Sequence, residues 1–163
     1  MVSTYPNSQP SDLSFTYRNY ELCITNKTQI NKNSLLDIIV SNKEFSHFYT
    51  LIKKAKMENI FNDTSYHNIT VFVPTNKVLE NFCLDSIDLL FAKNQINKHI
   101  INSQLTLEVL NDTPTMFIKN KKQQRLLVNN LDGDVYINNI KILNKNNLYV
   151  ANNGIIHTIS GLF

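Results

Sequence analysis

The stretch Ile69-Thr-Val-Phe-Val-Pro-Thr-Asn76 carries the most structural information in the chain. From Ile69 to Val73 every side chain is β-branched or aromatic, the composition of a strand. Pro74 lacks the N–H needed to continue a ladder and ends it. Thr75 or Asn76 then offers an oxygen to cap a short helix holding Val78, Leu79 and Phe82. Much later, Asn153-Gly-Ile-Ile-His-Thr-Ile159 reverses the order, with polar punctuation leading into a β-branched strand.

Upstream of the first stretch, Ser34-Leu-Leu-Asp37 and Ser41-Asn-Lys-Glu44 both fit a capping box. After the latter, Phe45, Phe48, Tyr49, Ile52 and Ala55 fall on one stripe of a helix ending near Lys56. Helical stretches are expected from Asp85 to Phe91 and from Lys93 to Ile101. Strands are expected over 105–110, 115–118, 126–128, 135–137, 140–143, 148–151 and 155–159. Asp132-Gly133 and Asn138-Asn139 suit tight hairpin turns. Helices come early and strands late, so the class is α+β.

Residues 1–32 read as an N-terminal arm and 33–163 as one domain. Within the arm, Leu13-Ser-Phe-Thr-Tyr17 and Tyr20-Glu-Leu-Cys-Ile24 alternate in the manner of edge strands. Met1 to Pro10 has neither a basic start nor an apolar stretch, so it is not a signal peptide. The expectation is an intracellular location, or a cell or particle surface if a leader was removed or the source is a virus. No apolar run reaches the roughly 20 residues of a membrane span.

At 163 residues the chain can bury a full core without a disulfide framework. Cys23 and Cys83 lack metal or redox spacing; they can bridge in an oxidising compartment, but two buried free thiols are expected. The chain holds 25 Asn, and 14 Lys against 2 Arg. An AT-rich genome, such as that of a protist or large DNA virus, accounts for this bias. It also deflates the sequons at Asn26, Asn62, Asn68 and Asn111, since chance alone gives about 3.5 such triplets. A net charge of +3 slightly favours acidic surfaces.

The two quoted stretches resemble the signature motifs of the fasciclin-like (fasciclin I) domain family. One family motif resembles Thr-Val-Phe-Ala-Pro-Thr-Asn, here Thr70, Val71, Phe72, Val73, Pro74, Thr75 and Asn76. The other resembles Asn-Gly-Val-Ile-His-Val-Ile-Asp, here Asn153, Gly154, Ile155, Ile156, His157, Thr158, Ile159 and Ser160. Between them a strand-turn-strand resembling Val-Asn-Gly stands as Ile137-Asn138-Asn139. The resemblance implies an α+β wedge in which two β-sheets, about seven strands, pack with several helices. It further implies a noncatalytic adhesion or matrix-type module whose partner is a cell-surface or matrix-type protein. Many members carry a Tyr-His pair, associated with integrin recognition, where this chain has Lys98, His99, Ile100 and Ile101. The His and its apolar flank survive, Lys98 replaces Tyr, and these four residues are the candidate partner-binding surface.

The residues themselves argue for no enzyme. There is no Gly-x-Ser-x-Gly elbow and no phosphate loop among three glycines. His99 and His157 read as structural ties, and no metal or other cofactor is expected. Lys119-Asn-Lys-Lys-Gln-Gln-Arg125 reads as a solvated loop, with no interleaved aromatics to bind nucleic acid. Two alternatives stay open: a self-associating structural component of a viral particle or cell envelope, and a small-molecule or lipid carrier with a helix–sheet cleft.

Overall fold

The structure, a computed structural model, describes residues 29–65, 68–145 and 149–163. The expected arm strands, Cys23 and Asn26 therefore lie outside the described residues. Helix α1 spans Leu35–Ser41, α2 Ser46–Ala55 and α3 Glu58–Asn62. Strand β1 (Ile69–Pro74) follows, then α4 (Asn76–Leu79), α5 (Leu89–Lys98) and β2 (Ile100–Ile101). The last helix, α6 (Leu107–Asp112), precedes β3 (Thr115–Lys119), β4 (Arg125–Leu131), β5 (Asp134–Ile137) and β6 (Ile140–Lys141). Strands β7 (Tyr149–Ala151) and β8 (Gly154–Ile159) close the chain.

Among the described residues eight strands form two four-stranded sheets, ordered β2-β1-β8-β7 and β3-β4-β5-β6. Strands β1 and β8 are parallel and in register, with Val71 opposite Ile156 and Phe72 opposite His157. The two signature stretches thus lie side by side at the centre of one sheet. The period-2 alternation of β1 then splits its side chains between two cores. Val71, Val73 and Ile156 pack under the helices with Phe48, Ile52 and Ile96. Phe72 and Ile159 face the other sheet with Leu126, Val128 and Ile137.

Local chemistry explains most of the boundaries. Ser34 caps α1 by accepting from the Asp37 N–H at 3.0 Å, and the Asp37 carboxylate accepts from the Asn33 N–H. Asn138 and Asn139 both hold positive φ, as do Asp132 and Gly133, which gives each hairpin its tight turn. Lys56 ends α2 in the left-handed region at φ 54°.

Several expectations need correcting. Ser41 caps nothing: it is the last residue of α1, and Asn42 caps the following 3₁₀ turn. The helix expected to reach Ile101 stops at Lys98, because Ile100 and Ile101 pair with Val71 and Thr70. With that strand the described residues hold eight, in keeping with the about seven expected. The expected strand over 105–110 is helix α6. Its Thr106 Oγ1 accepts from the Val109 N–H, and Leu107 and Leu110, one turn apart, reach the core. Cys83 is exposed rather than buried. Among the described residues no helix is long and apolar enough to cross a membrane.

Candidate binding site

The signature polar residues are spent on holding the fold together. Thr70 Oγ1 donates to the Ser103 carbonyl at 2.6 Å and accepts from the Leu105 N–H at 2.8 Å, tying β1 to the loop after β2. Thr75 occupies the N-cap of α4 without a side-chain bond. Asn76 instead reaches back to α2, accepting from the His47 N–H at 2.9 Å and donating to the Lys43 carbonyl at 2.8 Å. Asn153 accepts from the Leu35 N–H at 2.9 Å and donates to the Phe61 carbonyl at 2.9 Å, joining β8 to α1 and α3. A Cβ on Gly154 would lie 2.3 Å from the Ile69 carbonyl oxygen, so close strand approach requires glycine there.

Both signature histidines are buried and neutral. His157 Nε2–H donates to the Leu105 carbonyl at 2.6 Å, which leaves Nδ1 to accept from the Asn144 amide at 3.4 Å. Its ring lies 5.7 Å from that of Phe72, and burial lowers its pKa. His99 takes the other tautomer: Nδ1–H donates to the Gln95 carbonyl at 2.7 Å and Nε2 accepts from the Phe163 N–H at 3.4 Å. Phe163 stacks on the His99 ring at 5.0 Å. Burial, the largest influence, pushes the His99 pKa down to about 4, despite the opposing pull of the Gln95 carbonyl.

The candidate surface at Lys98–Ile101 is correspondingly small. His99 is 1% exposed, and Ile100 and Ile101 lie in the two cores, so only Lys98 reaches solvent. Around Lys98, however, the fold assembles a basic corner. Buried Asn120 donates to the Lys98 carbonyl at 3.1 Å, and its own carbonyl oxygen accepts from the N–H groups of Lys122 and Gln124. The Lys121 N–H donates to the Ile100 carbonyl at 2.8 Å, and Lys122 Nζ donates to Asn94 Oδ1 at 2.8 Å. The run expected to be a solvated loop is the largely exposed tip of the β3–β4 hairpin, anchored to α5 and β2 by these bonds.

On the outer face of that hairpin Lys119 stands opposite Arg125 and Phe117 opposite Leu127. The Arg125 guanidinium lies 4.0 Å over the Phe117 ring, which is 55% exposed. No carboxylate occurs in residues 89–107 or 113–131, so these segments bring no counter-charge of their own to the corner. Sequence reading missed this surface because its parts are about twenty residues apart. The Lys119–Arg125 run itself was the signal that could have found it.

Among the sequon asparagines, Asn62 is buried, and its amide donates to the Gln29 carbonyl at 2.6 Å. That engaged side chain is no glycan acceptor in the folded protein, whereas Asn68 and Asn111 are exposed.

Two sheets of this order, clasped by paired β1 and β8 with helices over one face, define a wedge built around the two signature stretches. A family model for the Fasciclin domain matches residues 43–163, and the chain belongs to that family. Among solved structures it is similar to a FAS1 domain pair from the insect cell adhesion molecule fasciclin I. That match has a TM-score of 0.66 and 19% identity, over 80% of this chain and 50% of the other. It is also similar to rat (Rattus norvegicus) stabilin-2, 31% identical over 81 residues, which is 50% of this chain and 6% of stabilin-2. The chain thus spans about half of the fasciclin I domain pair and a small part of stabilin-2.

Proposed function

We propose that this chain is a noncatalytic adhesion-type module that binds an acidic protein surface through the basic corner beside Lys98. The observation that carries this reading is the Lys119–Arg125 cross-strand pair on the exposed hairpin face. Like charges directly opposite one another on a strand pair destabilise it, and neither strand has a carboxylate to offset them. An acidic partner would supply that offset. Exposed Phe117 under Arg125 adds an apolar ring beside an arginine, a residue type enriched in binding hot spots. The two buried signature histidines, committed to internal hydrogen bonds as neutral rings, support the noncatalytic reading.

Membership of a family whose relatives include an insect cell adhesion molecule supports the adhesive role. One module of this size binds weakly, and useful attachment would come from many copies on a surface. The test coats beads with the domain and counts their attachment to a cell monolayer. Replacing Phe117 and Arg125 together by Ala is expected to lower attachment about tenfold, the equivalent of about 1.4 kcal/mol for the two together. Raising the salt concentration should weaken the wild type in parallel. Attachment equal to that of a remote Leu131→Ala control would show that the hairpin is not the surface, and no attachment by the wild type would remove the adhesive reading.

A rival reading, self-association, is favoured by one observation. Phe82, Leu89, Leu90 and Phe91 are all exposed around the start of α5, with Leu90 at 68%. Light scattering over a concentration series, comparing wild type with Leu90→Ser, tests it: concentration-independent monomers count against self-assembly.

A further inference from the structure

An open sheet exposes a strand at each edge, and the edges of this fold are not alike. Among the described residues the edge strands are β2, β7, β3 and β6. Strands β2 and β6 have two residues each, and β7 has three. The Ile100 carbonyl of β2 already accepts from the Lys121 N–H, and Ile142, just past β6, bridges to Ile159. Of these four, only β3 presents as many as five residues.

Along β3 the backbone faces away from the sheet at every second residue. The Asn130 N–H donates to the Pro114 carbonyl at 3.2 Å and the Asn120 N–H to the Gln124 carbonyl at 3.1 Å. The register sets Met116 opposite Val128 and Ile118 opposite Leu126 in the same phase, so these residues bond to β4. Thr115, Phe117 and Lys119 therefore turn their N–H and C=O groups to the open side. Among the described residues no strand pairs with them there. Such a row is a template for another strand, and native sheets blunt it with charge, proline or shortness. Here Pro114 and Lys119 stand only at the two ends, and Thr115-Met-Phe-Ile118 between them is uncharged.

A cleft of about 360 Å³ adjoins β3, lined from the hairpin by residues 116–120 and otherwise by Ile101, Asn102, Ser103 and Leu105. That volume falls in the roughly 300–1,000 Å³ range of ligand sites. Its lining contains Lys119 and no carboxylate. Arg125 stands across the hairpin from Lys119, whereas Glu108 and Asp112 belong to α6, before the other end of β3. Positive charge is thus concentrated at one end of the open edge. A second copy paired through its own β3 would bring two such basic hairpins together, whereas an acidic chain would neutralise one.

We propose that an extended, acidic segment of a partner protein adds to β3 as a further strand. Its backbone pairs with Thr115, Phe117 and Lys119, alternate side chains enter the cleft, and its carboxylates meet Lys119 and Arg125. This form of partner rests on the acidic-partner reading above and adds backbone pairing to the contacts made by side chains.

The test mixes the full chain, labelled for NMR, with a capped peptide of alternating threonine and valine that carries glutamates at both ends. Amide exchange is read residue by residue. In the free chain Met116 and Ile118 should be protected, while Thr115, Phe117 and Lys119 exchange freely. Saturating peptide is expected to slow these outward amides at least about tenfold. Glutamines in place of its glutamates should weaken binding at least about tenfold. Phe117→Pro removes an outward N–H but none of the bonds to β4, and Phe117→Val keeps that N–H. The proline variant should therefore bind at least about tenfold more weakly than the valine variant. Binding that leaves the outward amides exchanging freely overturns the added strand and leaves the acidic-partner reading standing. Equal binding of the two peptides overturns the acidic occupant and that reading with it. No binding of either overturns the added strand alone, because cell attachment tests the other reading separately. Protection that grows with protein concentration, without peptide, gives the edge to a second copy and overturns the proposal.

Discussion

Protonating His99 should destabilise this domain well before general acid denaturation begins. The ring is buried, donates from Nδ1 to the Gln95 carbonyl, and accepts at Nε2 from the Phe163 N–H. Adding a proton at Nε2 places a charge in the core beside the Lys98 cation and turns the one acceptor into a donor facing a donor. The folded pKa is accordingly about 4, against 6.5 for an unperturbed His. Between those values the unfolded chain binds more protons than the folded one, so stability rises with pH across the window and is lost as pH falls through it. The full difference corresponds to about 3 kcal/mol, of which about 2 kcal/mol is lost between pH 7 and pH 5. Against a typical total of about 5–15 kcal/mol that is a large share.

The assay is urea unfolding at pH 7, 6 and 5. With a slope of about 2 kcal/mol per molar, the wild-type midpoint should fall by about 1 M across this range. His157, also held neutral by burial, adds to the loss. Asp63 and Asp134, both held below the usual carboxylate range by hydrogen bonds from Ser65 and from Lys145 and Lys141, change state at lower pH still. The diagnostic comparison is His99→Gln, which keeps a polar group but cannot titrate. It should start less stable at pH 7 yet lose about 2 kcal/mol less on going to pH 5. Wild-type and variant midpoints that fall in parallel would refute the assignment of the acid response to His99.

Three further outcomes follow from the packing. Gly154→Ala drives a methyl into the Ile69 carbonyl, a backbone atom with little room to move, and should cost about 2–3 kcal/mol in thermal or urea unfolding. Asn153→Ala strands the Leu35 N–H and the Phe61 carbonyl, so a loss on the order of 3 kcal/mol is expected by the same measurement. Asn139→Gly relieves a side chain held at φ 66° in the β5–β6 turn and should raise the melting temperature by about 1–2 °C, for a gain of about 0.5 kcal/mol.

How much of this was legible beforehand depended on whether a periodic constraint acted on the residues concerned. The central strands were, because Ile69–Val73 and Ile155–Ile159 must fill two cores at once and are built almost wholly of β-branched and aromatic residues. The hairpin at Asn138-Asn139 was also, because positive φ at both positions admits few residue types. Leu105–Leu110 was misread because Leu105 and Leu107 imitate strand alternation. The deciding spacing is Leu107 to Leu110, and the deciding cap is Thr106.

Composition shows the same division. The number of asparagines says nothing of their placement. Asn62, Asn76, Asn120 and Asn153 each bridge elements about 20 to 120 residues apart, and nothing in the local sequence marks them as bridges rather than surface. The burial of His99, Ile100 and Ile101 went unread for a related reason. Ile100-Ile101 is too short a run for periodicity to distinguish a buried strand from an exposed patch, and the strand that buries it, β1, lies about thirty residues upstream. Exposed side chains answer to no period at all. Lys98, Lys119 and Arg125 come together only because Asn120 fastens one hairpin to the end of one helix, a contact that exists after folding and has no counterpart in the linear order of residues.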